Sequence, residues 1–321
     1  MSAGPGVARR GYDHAAVHYG SDAELLAVAV PFLEGGLAAG EPTFVSLAPD
    51  RAELVRRALS PSADARYLTV DEVYVRPAAA IKSYRELMAG LVAGGAAGIR
   101  IFGELPRTAI DRSWDWWARY EAAVNHAYDE FPLRSMCAYD TRTTPRHVLD
   151  DVARTHPFVA TPGGHRSNAG YVDPPAFLAD PRPMTPHPIQ HALPLVEFTD
   201  PQPPAARRAV LDITKTDLPA GEIDDLVLAV SEIVDNAVRH GRPPVTMRIW
   251  ADADHMVVTV HDTGEGPGDP FAGLLPAGRQ IGGRGLWIAH QICSQVTLHR
   301  DETGFTVRLI AGNTWLRCPA D

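Results

Sequence analysis

A proline-rich stretch in the middle of the chain sets the strongest limit on the fold. Residues 174–204 contain ten prolines, and each proline fixes φ and removes a backbone hydrogen-bond donor. We therefore expect neither regular helix nor central strand here, but a stiff, extended linker with a short strand near Leu195–Phe198. This linker divides the 321 residues into domains at 1–173 and 205–321, and two domains suit this chain length.

Composition and charge narrow the class of protein. With 45% hydrophobic and 21% charged residues, the chain is typical of soluble globular proteins. The net charge of −9 argues against nucleic-acid binding, because a phosphate backbone attracts basic surfaces. We find no secretory signal and no stretch apolar enough to span a membrane, so we expect a cytoplasmic protein that binds no membrane. The cysteines Cys137, Cys293 and Cys318 are isolated and predict neither a disulfide framework nor a metal site.

The part before the linker alternates short apolar runs with amphipathic segments. Strands are predicted at 14–19, 42–48, 66–70, 98–105 and 134–140, and helices near 22–39, 50–59, 77–95, 112–130 and 144–155. Such alternation predicts an α/β fold, with a parallel sheet covered on both faces. In sheets of this kind, ligands bind at the carboxyl ends of the strands.

The part after the linker has a different order of elements. Helices are predicted at 205–214 and 221–241, a hairpin at 245–252 and 255–262, a helix starting near Arg284, and strands at 295–300 and 304–310. Helices combined with antiparallel strands predict an α+β sandwich, one sheet with helices on one side.

One helix of this second part has an unusual polar pair. In SEIVDNAVRHG, residues 231–241, Glu232 and Asn236 lie about 40° apart on a helical wheel and about 110° from the centre of the apolar stripe. They border the core, where a polar side chain can line a cleft, whereas Asp235 points into solvent. A solvated flank is the alternative interpretation of the same pair.

Two glycine-rich motifs follow. VVTVHDTGEGPG ends a strand at Asp262, followed by Gly264 and Gly266; a carboxylate there can accept the N–H of a purine amine, and glycine lets the backbone approach closely. In GGRGLWIAHQI, Gly283 and Gly285 lead into a helix, whose free N–H groups can bind an anion. The loop between the two motifs could close over a ligand as a lid.

The order E-x-x-x-N, D-x-G-x-G and G-x-G-L resembles the GHKL ATPases, which share the Bergerat fold. LVLAVSEIVDNAVRHG and GRGLWIAHQI are most similar to the anti-sigma-factor serine kinases, and the resemblance covers about residues 195–312. The chain contains no Walker A sequence and no eukaryotic-type kinase pattern.

The resemblance implies a role for each matching residue. Asn236 would bind the Mg²⁺ that bridges the ATP phosphates, and Glu232 would be the general base. Adenine would contact Asp262, Gly264, Gly266 and Thr306, and the phosphates would contact Gly283, Arg284 and Gly285. Arg279 could also contact phosphate, although a solvated arginine is the alternative.

The first part resembles the MEDS sensory domain, a RecA-like module without a working phosphate loop, over about residues 12–160. HYGSDAELL occupies the place of that loop but has Asp22 and Glu24 and no lysine, so it would repel phosphate; Ser21 or Asp22 is expected to cap a helix. The resemblance implies a sensor for a small ligand. Candidate lining residues are His14, His18, Tyr19, Glu104, Tyr139 and Asp140. Helical spacing predicts core or interface packing for Trp114, Trp116, Trp117, Tyr120, Val124 and Tyr128, with a ligand-binding cluster as the alternative.

Together these features predict a bacterial anti-sigma regulatory factor under control of a small-molecule sensor. It would bind Mg-ATP, sequester a sigma factor and phosphorylate Ser or Thr of a STAS-like antagonist protein. Related kinases dimerise, so a homodimer is a further expectation. One alternative is an ATP-dependent sigma-binding protein without kinase activity. Another is a two-component histidine kinase, which needs a phosphoacceptor His on a helical hairpin, whereas His187 and His191 lie in the proline-rich stretch.

Overall fold

The computed structural model describes residues 11–213, 216–276 and 284–312. The chain divides into two compact units, Met1–Leu178 and Ala179–Asp321. The stretch predicted as a linker is thus shared between the two units, and the domain limits named above stay a prediction.

The first unit is built on a seven-stranded mixed sheet. Its strands are β1 (Asp13–Tyr19), β2 (Thr43–Ser46), β3 (Arg66–Tyr67), β4 (Ile99–Gly103), β5 (Leu133–Asp140), β6 (Phe158–Thr161) and β7 (Gly164–Ser167). Their order is β3-β2-β4-β5-β1-β6-β7. All neighbours are parallel except β6 and β7, which pair antiparallel at one edge. The predicted parallel strands are confirmed, whereas the edge hairpin was not foreseen, because β7 has no buried residue and so no apolar alternation to read.

Helices cover both faces of this sheet. They are α1 (Asp22–Ala38), α2 (Pro49–Ala58), α3 (Val70–Val73), α4 (Pro77–Ala93), α5 (Arg107–Arg112), α6 (Trp114–Ala127), α7 (Arg146–Thr155) and α8 (Pro174–Ala179). One face packs Ala15 and Val17 of β1 against Leu25 and Leu33 of α1. The tryptophans that begin α6 are buried, which confirms the predicted core packing.

The expectation that residues 174–204 contain no helix was wrong at α8. Its two prolines, Pro174 and Pro175, occupy the first helical positions, where no N–H is needed and the fixed φ suits a helix. A 3-10 helix, Pro188–His191, follows in the second unit. The short strand expected near Leu195–Phe198 is present as β8 (Val196–Thr199) and lies at a sheet edge, where nearby prolines are tolerated.

The second unit is a five-stranded antiparallel sheet with helices on one face. Its remaining elements are α9 (Pro203–Leu211), α10 (Ala220–His240), β9 (Thr246–Ala251), β10 (His255–Asp262), α11 (Arg284–Ile292), β11 (Gln295–Asp301) and β12 (Gly304–Gly312). The strand order is β11-β12-β10-β9-β8. The apolar stripe of α10 packs on alternate residues of β10 and β12, as the α+β prediction requires.

The opposite face of this antiparallel sheet is also covered. Ile189 of the 3-10 helix packs on Trp250 and Val257. The Trp250 Nε1–H donates to the carbonyl of Ala192 at 2.9 Å, and the buried Arg308 guanidinium donates to the carbonyl of Thr185 at 2.6 Å. Part of the proline-rich stretch therefore serves as a third layer of the second unit.

No helix in the described ranges combines the length and the apolar character that a bilayer crossing requires.

Candidate functional site

The polar pair of α10 lies against the first turn of α11. Glu232 and Asn236 are both half-buried, as their border position on the helical wheel predicts. A Cβ built on Gly285 would lie 2.8 Å from Nδ2 of Asn236 and 3.1 Å from Oε2 of Glu232. Glycine at this position therefore lets the N-terminus of α11 approach both side chains closely.

Neither member of this pair has a polar partner among the described residues. Across the described ranges, the side chains of Glu232 and Asn236 make no hydrogen bond and no ion pair. Their neighbour Asp235 differs, because its carboxylate pairs with Arg239 at 2.9 Å on the exposed side of the helix. A carboxylate and an amide that have no partner among these residues can meet an external ligand, and their oxygens suit a hard cation such as Mg²⁺.

Asp262 lies beside the C-terminus of α10. It is 5% exposed, and its Oδ1 accepts hydrogen bonds from the backbone N–H of Arg242 at 3.0 Å and of Gly264 at 2.7 Å. Within the described residues, Oδ2 accepts none, so one oxygen anchors the carboxylate and the other can meet a ligand. The predicted side chains of α10 and β10 thus border the same end of the helix–sheet layer.

Two residues of this region were missed from the sequence. A Cβ on Gly241 would lie 2.5 Å from Cγ of Asp262, so the glycine that ends α10 makes room for this carboxylate. Phe305 pairs with Asp262 across β10 and β12, and its ring covers Gly266, whose φ is +74°. The helix-ending glycine was visible in RHG, whereas the position of Phe305 depends on strand register.

Thr306 lies apart from Asp262 and the helices, and its expected place near adenine stays a prediction. It pairs with His261, and its Oγ1 lies 3.0 Å from Nδ1 of that ring. Successive side chains of a strand point to opposite faces, so Thr306 lies on the face away from α10. Phe305 lies on the helix-side face.

Some predicted phosphate contacts lie outside the described residues, namely Gly283 and Arg279. Arg284 begins α11 with an exposed side chain, and its predicted contact with phosphate stays a prediction. The loop expected to form a lid is described up to residue 276. In this part, Leu274 is buried and Gly273 packs against the ring of His290 in α11; its closure over a ligand stays a prediction.

In the first unit, the turn before α1 occupies the place of a phosphate loop, and its polar groups bond to one another. Ser21 caps α1 by accepting from the N–H of Glu24 at 3.2 Å, and the Glu24 carboxylate accepts from the N–H of Gly20 at 2.7 Å. The expected cap at Ser21 is confirmed. The N–H groups of Gly20 and Glu24 are thus already engaged by side chains of this turn, and the Glu24 carboxylate adds a negative charge that disfavours phosphate.

The candidate lining residues of the first unit separate into two groups. At the strand ends, Arg51 lies 3.4 Å from both Glu104 and Asp140. Burial raises the pKa of Glu104, whereas hydrogen bonds from Arg142 lower the pKa of Asp140. In the interior, His14 and Tyr139 lie on the face covered by α6, and Tyr139 donates to Glu121 at 2.9 Å. His18 is exposed at the strand end, and Tyr19 is buried on the opposite face, in the core against α1. Neither therefore belongs to the interior group.

Comparison with known proteins identifies both units. Residues 13–157 match the model of the MEDS family, the methanogen/methylotroph, DcmR sensory domain. Residues 197–311 match the model of the histidine kinase-like ATPase domain. The two matches define a class of regulatory protein, in which a sensory domain is joined to a kinase-like ATPase domain.

The chain therefore contains a MEDS sensory domain in its first unit and a histidine kinase-like ATPase domain in its second. Among solved structures, the NMR structure of the histidine kinase domain of the E. coli osmosensor EnvZ has 18% sequence identity, covers 40% of this chain and 96% of that chain, and has a TM-score of 0.24. At this TM-score it adds nothing to the assignment, which rests on the family models. A comparison with curated proteins yields no match.

Proposed function

We propose that this protein is an ATP-dependent protein kinase of the GHKL type, with a Bergerat-fold ATP domain and a RecA-like sensory domain. The observation that carries the proposal is the half-buried pair Glu232 and Asn236, which has no partner in the described part of the chain and faces Gly285 of α11. A stable protein seldom leaves a buried-edge carboxylate and amide unsatisfied without a ligand.

The residues present fit Mg-ATP. Asn236 would hold Mg²⁺, which when bound neutralises phosphate charge. Gly285, with Gly283 and Arg284, would contact the phosphates at the start of α11, where helix N–H groups favour anions. The free Oδ2 of Asp262 would accept the adenine amine, and Gly264 and Gly266 would border the base.

Phosphoryl transfer then follows from the position of Glu232. An acceptor Ser or Thr hydroxyl attacks the γ-phosphorus, its O–P bond forms, and the bond from the γ-phosphorus to the bridging oxygen breaks to release ADP. Glu232 takes the hydroxyl proton, a role that requires only a carboxylate within hydrogen-bond reach of the acceptor. Glu232 makes no ion pair within the described ranges, so its carboxylate is available for that contact.

The partners are proposed from the resemblance of the α10 and α11 sequences to anti-sigma-factor serine kinases. We propose a sigma factor and a STAS-like antagonist as partners, a small-molecule ligand for the MEDS domain, and a homodimer. A two-component histidine kinase is disfavoured, because His187 caps a 3-10 helix and α9 follows an edge strand rather than a helical hairpin in residues 179–213.

The test uses the full-length chain and its Glu232→Gln variant. Proteins captured from the native cytoplasm with and without Mg-ATP are incubated with γ-labelled ATP. The wild type is expected to label a captured protein on Ser or Thr, and Glu232→Gln to bind ATP normally but transfer phosphate about 100-fold to 10,000-fold more slowly, the usual contribution of a general base.

The same experiment distinguishes a kinase from a protein that only binds its partner in an ATP-dependent way. Labelling of no captured protein by the wild type, with ATP still bound and with partner capture dependent on nucleotide, would establish an ATP-dependent binder without kinase activity. Equal labelling by wild type and Glu232→Gln would remove the catalytic role of that carboxylate.

A further inference from the structure

Four side chains from separate elements of the first unit converge in its interior. They are His14 of β1, Glu121 of α6, Cys137 of β5 and His156, which ends α7. One ligand atom from each lies within 4.8 Å of every other. His14, Glu121 and His156 are at most 2% exposed, so these polar side chains are buried rather than solvated.

Three of the six distances between ligand atoms of the cluster match the edges of a tetrahedral metal site. Nε2 of His14 lies 3.3 Å from Sγ of Cys137 and 3.4 Å from Oε2 of Glu121, and Nε2 of His156 lies 3.5 Å from the same oxygen. Metal–ligand bonds of about 2.0–2.3 Å in tetrahedral geometry separate ligand atoms by about 3.3–3.7 Å.

The hydrogen bonds around the cluster fix the ring of His14. The Asn125 amide donates to three backbone carbonyls, those of Glu121, Ala122 and Thr155. Its Oδ1 is therefore the acceptor for Nδ1 of His14 at 3.1 Å. The proton of a neutral ring then resides on Nδ1, and the lone pair of Nε2 points into the cluster.

His156 has the same tautomer for the same reason. Its Nδ1 lies 3.0 Å from the carbonyl oxygen of Val152, which can only accept. Metal-binding histidines typically donate their second N–H to a carbonyl or carboxylate in this way.

The cluster thus gathers electron-rich atoms with too few protons to link them. Oε2 of Glu121 and Nε2 of His156 are buried without a hydrogen-bond partner, while Oε1 of Glu121 is engaged by Tyr139. The thiol S–H of Cys137 can donate to Nε2 of His14, but the lone pair of Nε2 of His156 and Oε2 of Glu121, 3.5 Å apart, repel one another unless a proton or a cation lies between them. A divalent ion with one thiolate and one carboxylate is electrically neutral, which makes its burial tolerable.

We propose that His14, Glu121, Cys137 and His156 form a binding site for a divalent transition metal ion of the Zn²⁺ type. The mixture of two imidazoles, one thiolate and one carboxylate suits Zn²⁺ and excludes the hard ions Mg²⁺ and Ca²⁺, which prefer oxygen ligands. On binding, the thiol gives its proton to solvent.

The site borders a pocket, which gives an ion or small molecule a route to it. His14, Glu121 and Cys137 line this pocket together with the rings of Tyr12 and Tyr120. Metal occupancy would therefore form part of the wall that a ligand of the sensory domain contacts. The site is independent of the proposed ATP site, so either proposal can fail alone.

The test begins with the full-length protein freed of metal by a chelator and titrated with Co²⁺. We expect one Co²⁺ per chain, the visible absorption of a tetrahedral ion, a thiolate-to-cobalt charge-transfer band, and displacement of both signals by Zn²⁺. Protein that is folded by circular dichroism and yet gives no thiolate band and no stoichiometric binding overturns the proposal.

Variants locate the ion within the chain. Cys137→Ser is expected to abolish the charge-transfer band, and Glu121→Gln and His156→Gln each to weaken Co²⁺ binding at least about tenfold, since even indirect partners of a metal contribute that much. The control is Cys293→Ser, which removes a buried thiol of the second unit and should change nothing. A band that persists in Cys137→Ser and disappears in Cys293→Ser would place the metal elsewhere. If Cys137→Ser does not fold, the wild-type titration still decides.

Discussion

Two helices of this protein begin beside acidic side chains, and their surroundings differ in one respect. At the start of α1, Ser21 and Glu24 bond to the backbone, and the nearby Asp140 pairs with Arg142 at 2.7 Å. At the start of α11, Gly285 meets Glu232 and Asn236, which have no partner in the described residues. Polar groups that are satisfied internally stabilise a fold, whereas groups left unsatisfied beside a glycine are available to a ligand.

The largest effect that tests this comparison is expected for Asn236→Ala. Removal of the amide oxygen should weaken Mg-ATP binding by about 100-fold, at the upper end of what partners of a metal contribute. The free energy of unfolding should barely change, because the side chain makes no hydrogen bond within the described ranges. Isothermal titration calorimetry and urea unfolding measure the two quantities.

A neighbour on the same helix provides the control. Asp235→Asn alters a carboxylate whose recorded ion pair is with the exposed Arg239, and ATP binding should stay unchanged. Wild-type affinity in Asn236→Ala, or an equal loss in both variants, would mean that the unpartnered amide is not a ligand.

A smaller effect is expected when the glycine of α11 is filled. In Gly285→Ala the new Cβ would come 2.8 Å from Nδ2 of Asn236, so this side chain must move. We expect ATP binding to weaken about tenfold, roughly the value of one charge-assisted hydrogen bond. Because the displaced atom ends a flexible side chain, the protein should stay folded.

Gly221→Ala is the matched substitution, since a Cβ at Gly221 in α10 meets nothing within 4 Å. It should stabilise the helix by up to about 1 kcal/mol and leave ATP affinity unchanged. ATP binding that is insensitive to Gly285→Ala would show that the close approach of α11 has no part in the site.

The smallest effect concerns stability in the first unit. Hydrogen bonds from Arg142 hold the pKa of Asp140 below its usual value. A carboxyl with a lowered folded pKa stabilises the protein above its unfolded pKa, near about 3.9, and loses this contribution as the pH falls through the folded value. Asp140→Asn should therefore cost about 1 kcal/mol at pH 7, since Arg142 is half exposed, and less as the solution is acidified.

Urea unfolding at neutral and acidic pH checks this expectation. The exposed Asp64 supplies a control, because Asp64→Asn should give little difference at either pH. A difference between wild type and Asp140→Asn that grows on acidification would contradict the assigned role of Arg142.

The sequence predicted most of the fold and part of the candidate site in the second unit. Apolar periodicity located most strands and helices, and it placed Glu232 and Asn236 on one border of α10, because both residues belong to a single helix with known geometry. The strand-end position of Asp262 followed from its apolar run. Prolines misled the prediction at α8, where they occupy the first helical turn.

What the sequence could not predict involves neighbours from different elements. The pairing of β10 with β12 puts Phe305, and not its neighbour Thr306, opposite Asp262, and a shift of one residue exchanges the two faces of a strand. The isolated Cys137 showed no metal-ligand spacing, although the fold brings it to Nε2 of His14 at 3.3 Å.

The sequence by itself determined the local features of this protein: the type of each major element, the acidic turn that excludes phosphate, and the pair of polar residues one helical turn apart. These depend on backbone geometry over a few residues. Only the tertiary structure decided which side chains meet across strands and between helices, because strand register and helix packing are set by burial of the whole core. Tertiary packing alone produced the interior cluster of the first unit and the close approach of Gly285 to Glu232 and Asn236.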